Sequence, residues 1–161
     1  MKKLTFISLL FTLLTITVMC AQNNNNSDKD IIAKDAEIEK VETGYSFTEG
    51  STANSDGIVY FTDQPNDKIY VWEEGKGVSL WLEGTERSNG MYFNAKDELL
   101  SCADEFNRII AFNDNKEYRV IYENFDGKHL NGPNDLWELP NGGIYFTDPY
   151  YHRHYWKEGH T

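Results

Sequence analysis

Basic residues are scarce in this chain, and the shortage limits the partners it can bind. The sequence has 15 lysines and arginines against 26 aspartates and glutamates, a formal net charge of −11. A nucleic-acid-binding surface needs clustered positive charge to meet the phosphates, so we exclude nucleic acid as a partner. Acidity of this size fits an exported protein or one that attracts divalent cations.

Cysteine and the common catalytic motifs are also nearly absent. Cys20 and Cys102 are the only two cysteines, and removal or lipidation of Cys20 leaves no intramolecular disulfide. Cys102 lies in the apolar run Leu99–Ala103, where we expect a buried, unreactive thiol. The sequence has no Gly-x-Ser-x-Gly nucleophile elbow, P-loop or dinucleotide fingerprint, which leaves little support for a serine hydrolase.

The first 21 residues differ in composition from the rest of the chain. Lys2 and Lys3 precede an apolar stretch, residues 4–18. This stretch is short for a membrane-spanning helix and typical of an export signal. We therefore predict an export signal peptide over residues 1–21.

Two processing sites fit this signal. In one, Cys20 becomes a lipidated N-terminus; in the other, cleavage follows Ala21, and an uncleaved anchor is a third alternative. The protein is then exported and is periplasmic, extracellular or lipid-anchored to the bacterial envelope, with membrane contact only through Cys20. Polar residues 22–40 form a linker, and the folded domain spans residues 41–161.

The patterns that follow residue 41 all favour β-structure. Short runs rich in β-branched and aromatic residues alternate with Asp-Gly, Asn-Gly and other glycine turns, which is typical of a sandwich, a barrel or a propeller. No long amphipathic helix interrupts the series, which argues against a parallel α/β sheet. The predicted strands include residues 57–63, 69–72, 78–82, 99–104, 109–112 and 143–148.

A repeat distinguishes among these three folds. The motif Tyr-Phe-Thr-Asp ends at Asp63 and again at Asp148, with a related segment ending at Asp104; the steps are 41 and 44 residues. A unit of about 42 residues with four strands has the size of one propeller blade. We therefore predict an all-β propeller with fewer than three blades in residues 41–161. An active site needs one catalytic group, whereas these aspartates recur in every repeat. We therefore expect them to be scaffold residues whose carboxylates cap turns.

The same spacing selects three candidate site residues. Fourteen or fifteen residues before the aspartates stand Glu49, Asn89 and Asn134. Each lies where the innermost strand of a blade begins, and innermost strands surround the central channel. In a closed or nearly closed ring these side chains point into one small volume. For Asn89 a turn role stays open, because Asn-Gly pairs are common in loops for their backbone conformation alone.

A longer motif carries a family resemblance. The segment Leu130–Pro149 resembles the senescence-marker protein/gluconolactonase family, and Glu49-Gly50 and Ser88-Asn89-Gly90 resemble shorter motifs of that family in the same register. The run Tyr150–Trp156 is similar to a variant in bacterial members, and the resemblance covers about residues 44–156. It implies a six-bladed β-propeller with one divalent metal, often calcium, in its channel. It also implies hydrolysis of aldonic acid lactones.

The resemblance implies residue roles as well. Glu49 matches the family's N-terminal metal ligand, Asn134 matches an asparagine that contacts substrate near the metal, and Asn89 is a further substrate-contacting channel residue. The other metal ligands, an asparagine and an aspartate that is also the general base, are expected beyond Thr161. We therefore expect a calcium-dependent hydrolase of a small-molecule lactone, present here as a truncated and inactive portion. Esters or lactones of another kind are alternative substrates, and a non-catalytic calcium-binding or partner-binding propeller is the alternative function.

A histidine pair follows the third aspartate. His152 and His154 have a His-x-His spacing that can bind zinc on a strand. The alternative is a polar loop at the rim of the channel, in which Tyr150 and Tyr151 stack against a sugar ring.

Overall fold

The structure, a computed structural model, describes residue 33 and residues 35–154. The chain divides into two compact units, Met1–Lys40 and Val41–Thr161. The predicted signal peptide, which includes Cys20, lies outside the described residues. Among the residues described, no helix has the length and apolar character needed to cross a lipid bilayer.

The first four strands form one antiparallel sheet, sheet 1, in the order β1-β2-β3-β4. Its first turn depends on Asn54, whose Oδ1 accepts the backbone N–H groups of Asp56 and Ile58 at 3.2 and 2.9 Å. This side-chain bond closes the turn locally and so sets the start of the second strand. The strands are β1 (Thr48–Ala53), β2 (Val59–Asp63), β3 (Lys68–Glu73) and β4 (Gly77–Glu83).

The next strands repeat this arrangement in sheet 2, which is also antiparallel and in chain order. Asn94 repeats the turn chemistry of Asn54, since its Oδ1 accepts Lys96 N and Glu98 N at 2.9 Å each. The strands are β5 (Ser88–Phe93), β6 (Leu99–Ala103), β7 (Arg108–Phe112) and β8 (Tyr118–Tyr122).

Two short hairpins complete the described part. The first pairs β9 (Asn124–Phe125) with β10 (Lys128–His129), and the second, sheet 3, pairs β11 (Leu136–Glu138) with β12 (Ile144–Phe146). Asp126 and Gly127 join β9 to β10 with φ values of 51° and 76°. Two successive positive φ values are the signature of the type I′ turn that Asp-Gly favours.

Sheet 2 is packed between sheets 1 and 3. On β7, Ile110 and Phe112 belong to the apolar cluster shared with sheet 1, whereas Ile109 and Ala111 belong to the cluster shared with sheet 3. Successive side chains of a strand point to opposite faces, so this alternation places one apolar layer on each face of sheet 2. All residues of β6 are buried for the same reason.

Hydrogen bonds link the turns of neighbouring sheets, and the bonded residues lie about one repeat apart in the sequence. Ser55 donates its N–H and its Oγ–H to Asp97 at 3.1 and 2.8 Å, across 42 residues. Ala95 N donates to the Glu138 carboxylate at 3.1 Å, across 43 residues. The residue after the turn asparagine, Ser55 or Ala95, therefore donates to a carboxylate of the next sheet in both cases, as expected of successive blades.

The predicted fold class is confirmed. Within residues 35–154 the elements are two four-stranded sheets, two short hairpins and one 3₁₀ turn at Gln64–Asn66, which is fewer than three complete blades. The predicted strand 57–63 begins two residues later, at Val59, because Gly57 (φ 79°) is part of the preceding turn. The β9–β10 hairpin was not predicted, since two-residue strands have no measurable periodicity.

Candidate active site

The three candidate residues lie on segments that touch one another at one end of the sheets, called here the site end. Glu49 is in β1 and Asn89 is in β5, and these two strands pack side by side. Asn134 precedes β11, and its backbone oxygen accepts the N–H of Gly90 at 2.8 Å. The first strands of the three sheets therefore adjoin in sequence order, as inner strands around an axis do.

Two glycines allow this approach. A Cβ on Gly50 would lie 2.1 Å from the backbone oxygen of Asn89, and a Cβ on Gly90 would lie 2.4 Å from the backbone oxygen of Asn134. Both distances are far shorter than a carbon–oxygen contact can be. A residue with a side chain at either position would therefore push the neighbouring inner segments apart. Each glycine directly follows a candidate residue, which explains the Glu-Gly and Asn-Gly pairs seen in the sequence.

Both inner strands are irregular at this point. The pairing of β1 with β2 shifts register between Glu49 and Thr52, and that of β5 with β6 shifts between Ser88 and Met91. Such irregularities change the direction of side chains and are frequent beside active sites. Asn89 lies inside β5 and is only 7% exposed, so the turn alternative for its Asn-Gly pair is wrong.

The candidate side chains are available to a ligand. Within residues 35–154, the structure shows no hydrogen bond or ion pair to the carboxylate of Glu49 or to the side-chain amides of Asn89 and Asn134. Glu49 and Asn134 are half-buried. Polar groups in such positions are normally bonded. One carboxylate and two amides supply the hard oxygen ligands that calcium prefers, although calcium takes about six to eight of them.

No larger cluster of metal-ligating side chains accompanies them in the described part of the chain. No group of three or more histidine, cysteine, aspartate or glutamate side chains lies close enough to hold an ion there. This applies also to His152 and His154, which are exposed on the segment after β12. The oxygen atoms of Glu49, Asn89 and Asn134 are thus of the kind that calcium binds, and they are fewer than a calcium site uses.

Two of the three recurring aspartates act as scaffold groups, as predicted. The carboxylate of Asp63 accepts the backbone N–H groups of Ser46 and Phe47 at 3.1 Å. Asp148 accepts those of Asn131 and Gly132 at 3.0 and 2.8 Å. Each aspartate therefore fastens the loop that leads into an inner strand, just before the candidate residue.

The pKa of Asp63 reflects this role. Burial acts to raise the pKa of its carboxyl group, but the hydrogen bonds from Asn66, Phe47 and Ser46 outweigh burial and hold the pKa below its usual value. These donors stabilise the ionised form. The ionised carboxylate is thus the state that fastens the loop.

The loop before Asn89 is strained, which the sequence did not predict. Glu86 and Arg87 both have positive φ, 57° and 54°, a conformation that costs non-glycine residues about 1–3 kcal/mol each. Asp67 holds the loop by accepting Thr85 N at 2.9 Å and Arg87 N at 2.6 Å. The buried carboxylate of Glu86 also forms a two-armed ion pair with Arg108. No local motif reveals these contacts, because the partners lie about twenty residues apart.

Cys102 is confirmed as a buried free thiol. Its side chain is fully buried in the layer between sheets 2 and 3. Burial, with added repulsion from nearby aspartates, raises the pKa of the thiol far above its usual value. A thiol that stays protonated is a poor nucleophile, so Cys102 has a packing role.

Comparison with known proteins identifies the family. Residues 47–159 match the family model described as the SMP-30/gluconolactonase/LRE-like region. A gluconolactonase of Zymomonas mobilis is 30% identical over 130 residues, which cover 71% of this chain and 36% of the relative. The chain thus spans little more than a third of the length of this curated relative.

Solved structures agree. A gluconolactonase of Xanthomonas campestris superposes with a TM-score of 0.64 and 26% identity, covering 66% of this chain and 36% of the other. A structure described as a candidate gluconolactonase superposes with a TM-score of 0.66 and 27% identity, covering 70% of this chain and 40% of the other. The match to the family model covers well over half of this chain. The chain therefore belongs to the SMP-30/gluconolactonase/LRE-like family.

Proposed function

We propose that this chain contributes to the active site of a calcium-dependent hydrolase that opens the lactones of aldonic acids. The observation that carries the proposal is that the segments bearing Glu49, Asn89 and Asn134 contact one another directly at Gly50 and Gly90. Membership of the family and similarity to gluconolactonases support it. The small-molecule substrate is a cyclic ester with several hydroxyl groups.

Each residue has a defined task in this proposal. Glu49 holds the cation, because it is the carboxylate among the three and the structure shows no partner for it in residues 35–154. The amide of Asn134 orients the hydroxyl groups of the substrate, and the more buried amide of Asn89 contacts the sugar ring beside it. A bound divalent cation polarises an ester carbonyl and stabilises the negative charge that develops on it.

The remaining chemistry needs a group to activate water. Hydrolysis adds water across the ring ester bond and releases a hydroxy acid, and a general base takes the proton of the attacking water. We expect that base, and the other oxygen ligands of the cation, to lie outside the described residues. The substrate-binding and metal-holding residues named here are then one part of the site.

Calcium titration of thermal stability tests the proposal. At a calcium concentration ten times the dissociation constant, binding stabilises the native state by about 1.4 kcal/mol, and Tm rises accordingly. Glu49→Gln, which keeps the size and removes the charge, should abolish the rise, whereas Glu83→Gln, an exposed carboxylate on β4, should keep it. An unchanged calcium response in Glu49→Gln would count against the metal role and favour a partner-binding propeller.

We also propose that the protein is exported, on the basis of the charged and apolar pattern of residues 1–21. The mature N-terminus then lies at a lipidated Cys20 or directly after Ala21. Mass spectrometry of protein recovered from cells distinguishes the two, because Cys20→Ser removes the lipid in the first case and changes nothing in the second. An intact Met1 in all of the recovered protein would refute export with cleavage.

A further inference from the structure

We propose that Asp104 and Arg153 form an ion pair that holds segment 149–154 across the site end, from sheet 3 to sheet 2. The segment then forms a wall of the lactone site, a role that rests on the proposed function. The carboxylate Oδ2 of Asp104 lies 3.4 Å from Nε of Arg153. Asp104 is 1% exposed, so its charge is removed from water and needs a partner.

Comparison of the three repeats shows that Asp104 has a different task from its counterparts. Asp63 and Asp148 each accept two backbone N–H groups of the loop before an inner strand. In sheet 2 the corresponding amide, that of Arg87, donates to Asp67 from sheet 1 at 2.6 Å. With that amide bound elsewhere, the carboxylate of Asp104 is directed to contacts between sheets.

These contacts form a chain of polar side chains over the site end. The side-chain amide of Gln64, which follows β2 in sheet 1, donates to Asp104 Oδ2 at 2.9 Å. The guanidinium of Arg87 donates to the side-chain oxygen Oε1 of Gln64 at 3.3 Å. Gln64 thereby orients the Asp104 carboxylate, and Arg153 meets the same oxygen from the side of sheet 3.

The path of segment 149–154 places it beside the candidate residues. Before the segment, the backbone oxygen of Thr147 accepts the N–H of Asn134 at 3.0 Å. At its far end Arg153 reaches Asp104, which directly follows Ala103, the pairing partner of Ser88 next to Asn89. The segment therefore runs from the neighbourhood of Asn134 to that of Asn89.

The segment offers a surface suited to a sugar. Tyr150 and Tyr151 are 59% and 56% exposed, and an exposed aromatic face suits the C–H face of a sugar ring. The guanidinium of Arg153 lies 5.5 Å from the ring centroid of Tyr151, a cation–π distance. The ion pair of Arg153 with Asp104 thus holds the backbone of segment 149–154. The cation–π contact of Arg153 orients the ring of Tyr151.

Hydrogen exchange measured by mass spectrometry on the full chain tests the ion pair without any assay of activity. Asp104→Asn and Arg153→Gln should each speed exchange in peptides covering 149–154 by about threefold or more, because exchange reports local opening. The double variant should add little, since either change breaks the same pair. Arg119→Gln breaks an ion pair with Glu98 in the same sheet, at 2.8 Å, and should leave the segment unchanged.

Two results overturn the ion-pair proposal. One is unchanged exchange of 149–154 in both single variants. The other is faster exchange spread through β5–β8, which makes Asp104 a residue of general stability.

Binding of D-glucono-1,5-lactone to the full chain, measured by calorimetry, tests the wall separately. Arg153→Gln should raise the dissociation constant about threefold or more, as expected when part of a binding surface is lost, and Arg153→Lys should restore part of the affinity. An unchanged dissociation constant in Arg153→Gln refutes the wall. If the unmodified chain does not bind this lactone, the proposed function and the wall fail together, and the exchange result still decides the ion pair.

Discussion

At the residue scale, Gly50 and Gly90 determine how closely the inner segments approach. Gly50 combines a positive φ of 55° with a backbone oxygen 2.1 Å from its missing Cβ. The spacing to Asp63 selects Glu49 as a candidate, and the spacings to Asp104 and Asp148 select Asn89 and Asn134. The need for glycine after Glu49 was not foreseeable, because the atom that requires it, Asn89 O, belongs to another sheet.

Gly50→Ala and Gly57→Ala make a matched pair for this contact. Gly57 also has a positive φ, 79°, but nothing lies within 4 Å of its missing Cβ. Gly57→Ala should lower the free energy of unfolding by about 1 kcal/mol, the backbone cost alone. Gly50→Ala should lower it by about 1–3 kcal/mol more, the cost of overpacking. Urea unfolding followed by circular dichroism measures both; equal losses would show that the close approach is not needed for stability.

Cys102 gives a second prediction at this scale. Because burial keeps the thiol protonated and only the thiolate reacts rapidly, native protein carrying Cys20→Ser should not react with a thiol reagent at pH 8. The same protein should react fully in urea. Labelling of the folded protein on the time scale of a free thiol would contradict the burial of this side chain.

At the element scale, carboxylates hold the loops that lead into the inner strands. Asp63 holds the loop before β1, Asp148 the loop before β11, and Asp67 the strained loop before β5. The recurrence of Asp63 and Asp148 predicted their role. The role of Asp67 could not be predicted, because it holds a loop of the next sheet, about twenty residues away in the sequence.

Asp63→Asn should reveal this fastening through its dependence on pH. The folded-state pKa of Asp63 lies below its unfolded value, so its stabilisation is full above about pH 4 and is lost as pH falls through the folded pKa. At pH 7 the variant should be less stable by about 1–3 kcal/mol, and the difference should shrink on acidification. Urea unfolding between pH 7 and pH 2.5 measures it, with exposed Asp114→Asn as control; a difference independent of pH would exclude the ionised carboxylate as the cause.

At the scale of the whole molecule, the row of sheets has aromatic surface on both outer faces of the described part. On sheet 1 an open groove of about 590 Å³ is lined by residues that include Val59, Phe61 and Trp72. On sheet 3, Trp137 and Tyr145 stack with ring centroids 6.3 Å apart and are 50% and 64% exposed. Exposed apolar patches of this kind favour association.

Replacement of Trp137 and Tyr145 by threonine should therefore reduce association of the chain. Light scattering after size exclusion should show a mass that rises with concentration for the unmodified protein and rises less for the double variant. Val120→Thr removes a residue on β8 that is 40% exposed and should not change the behaviour. Equal association of all three proteins would show that the open face of sheet 3 is not a contact surface.

The sequence by itself determined the more regular strands, among them β2, β6 and β7, together with the repeat and the position of the candidate residues in each repeat. Side-chain alternation and turn residues such as Asn54 and Asn94 act within a few positions, so their effect can be predicted locally. Only the tertiary structure decided that Asn89 lies in a strand, that Gly90 touches Asn134, and that Asp104 binds Gln64 and Arg153. The contacts of Gly90 and of Asp104 each join parts of the chain about forty residues or more apart, and a contact at that separation depends on how whole sheets pack.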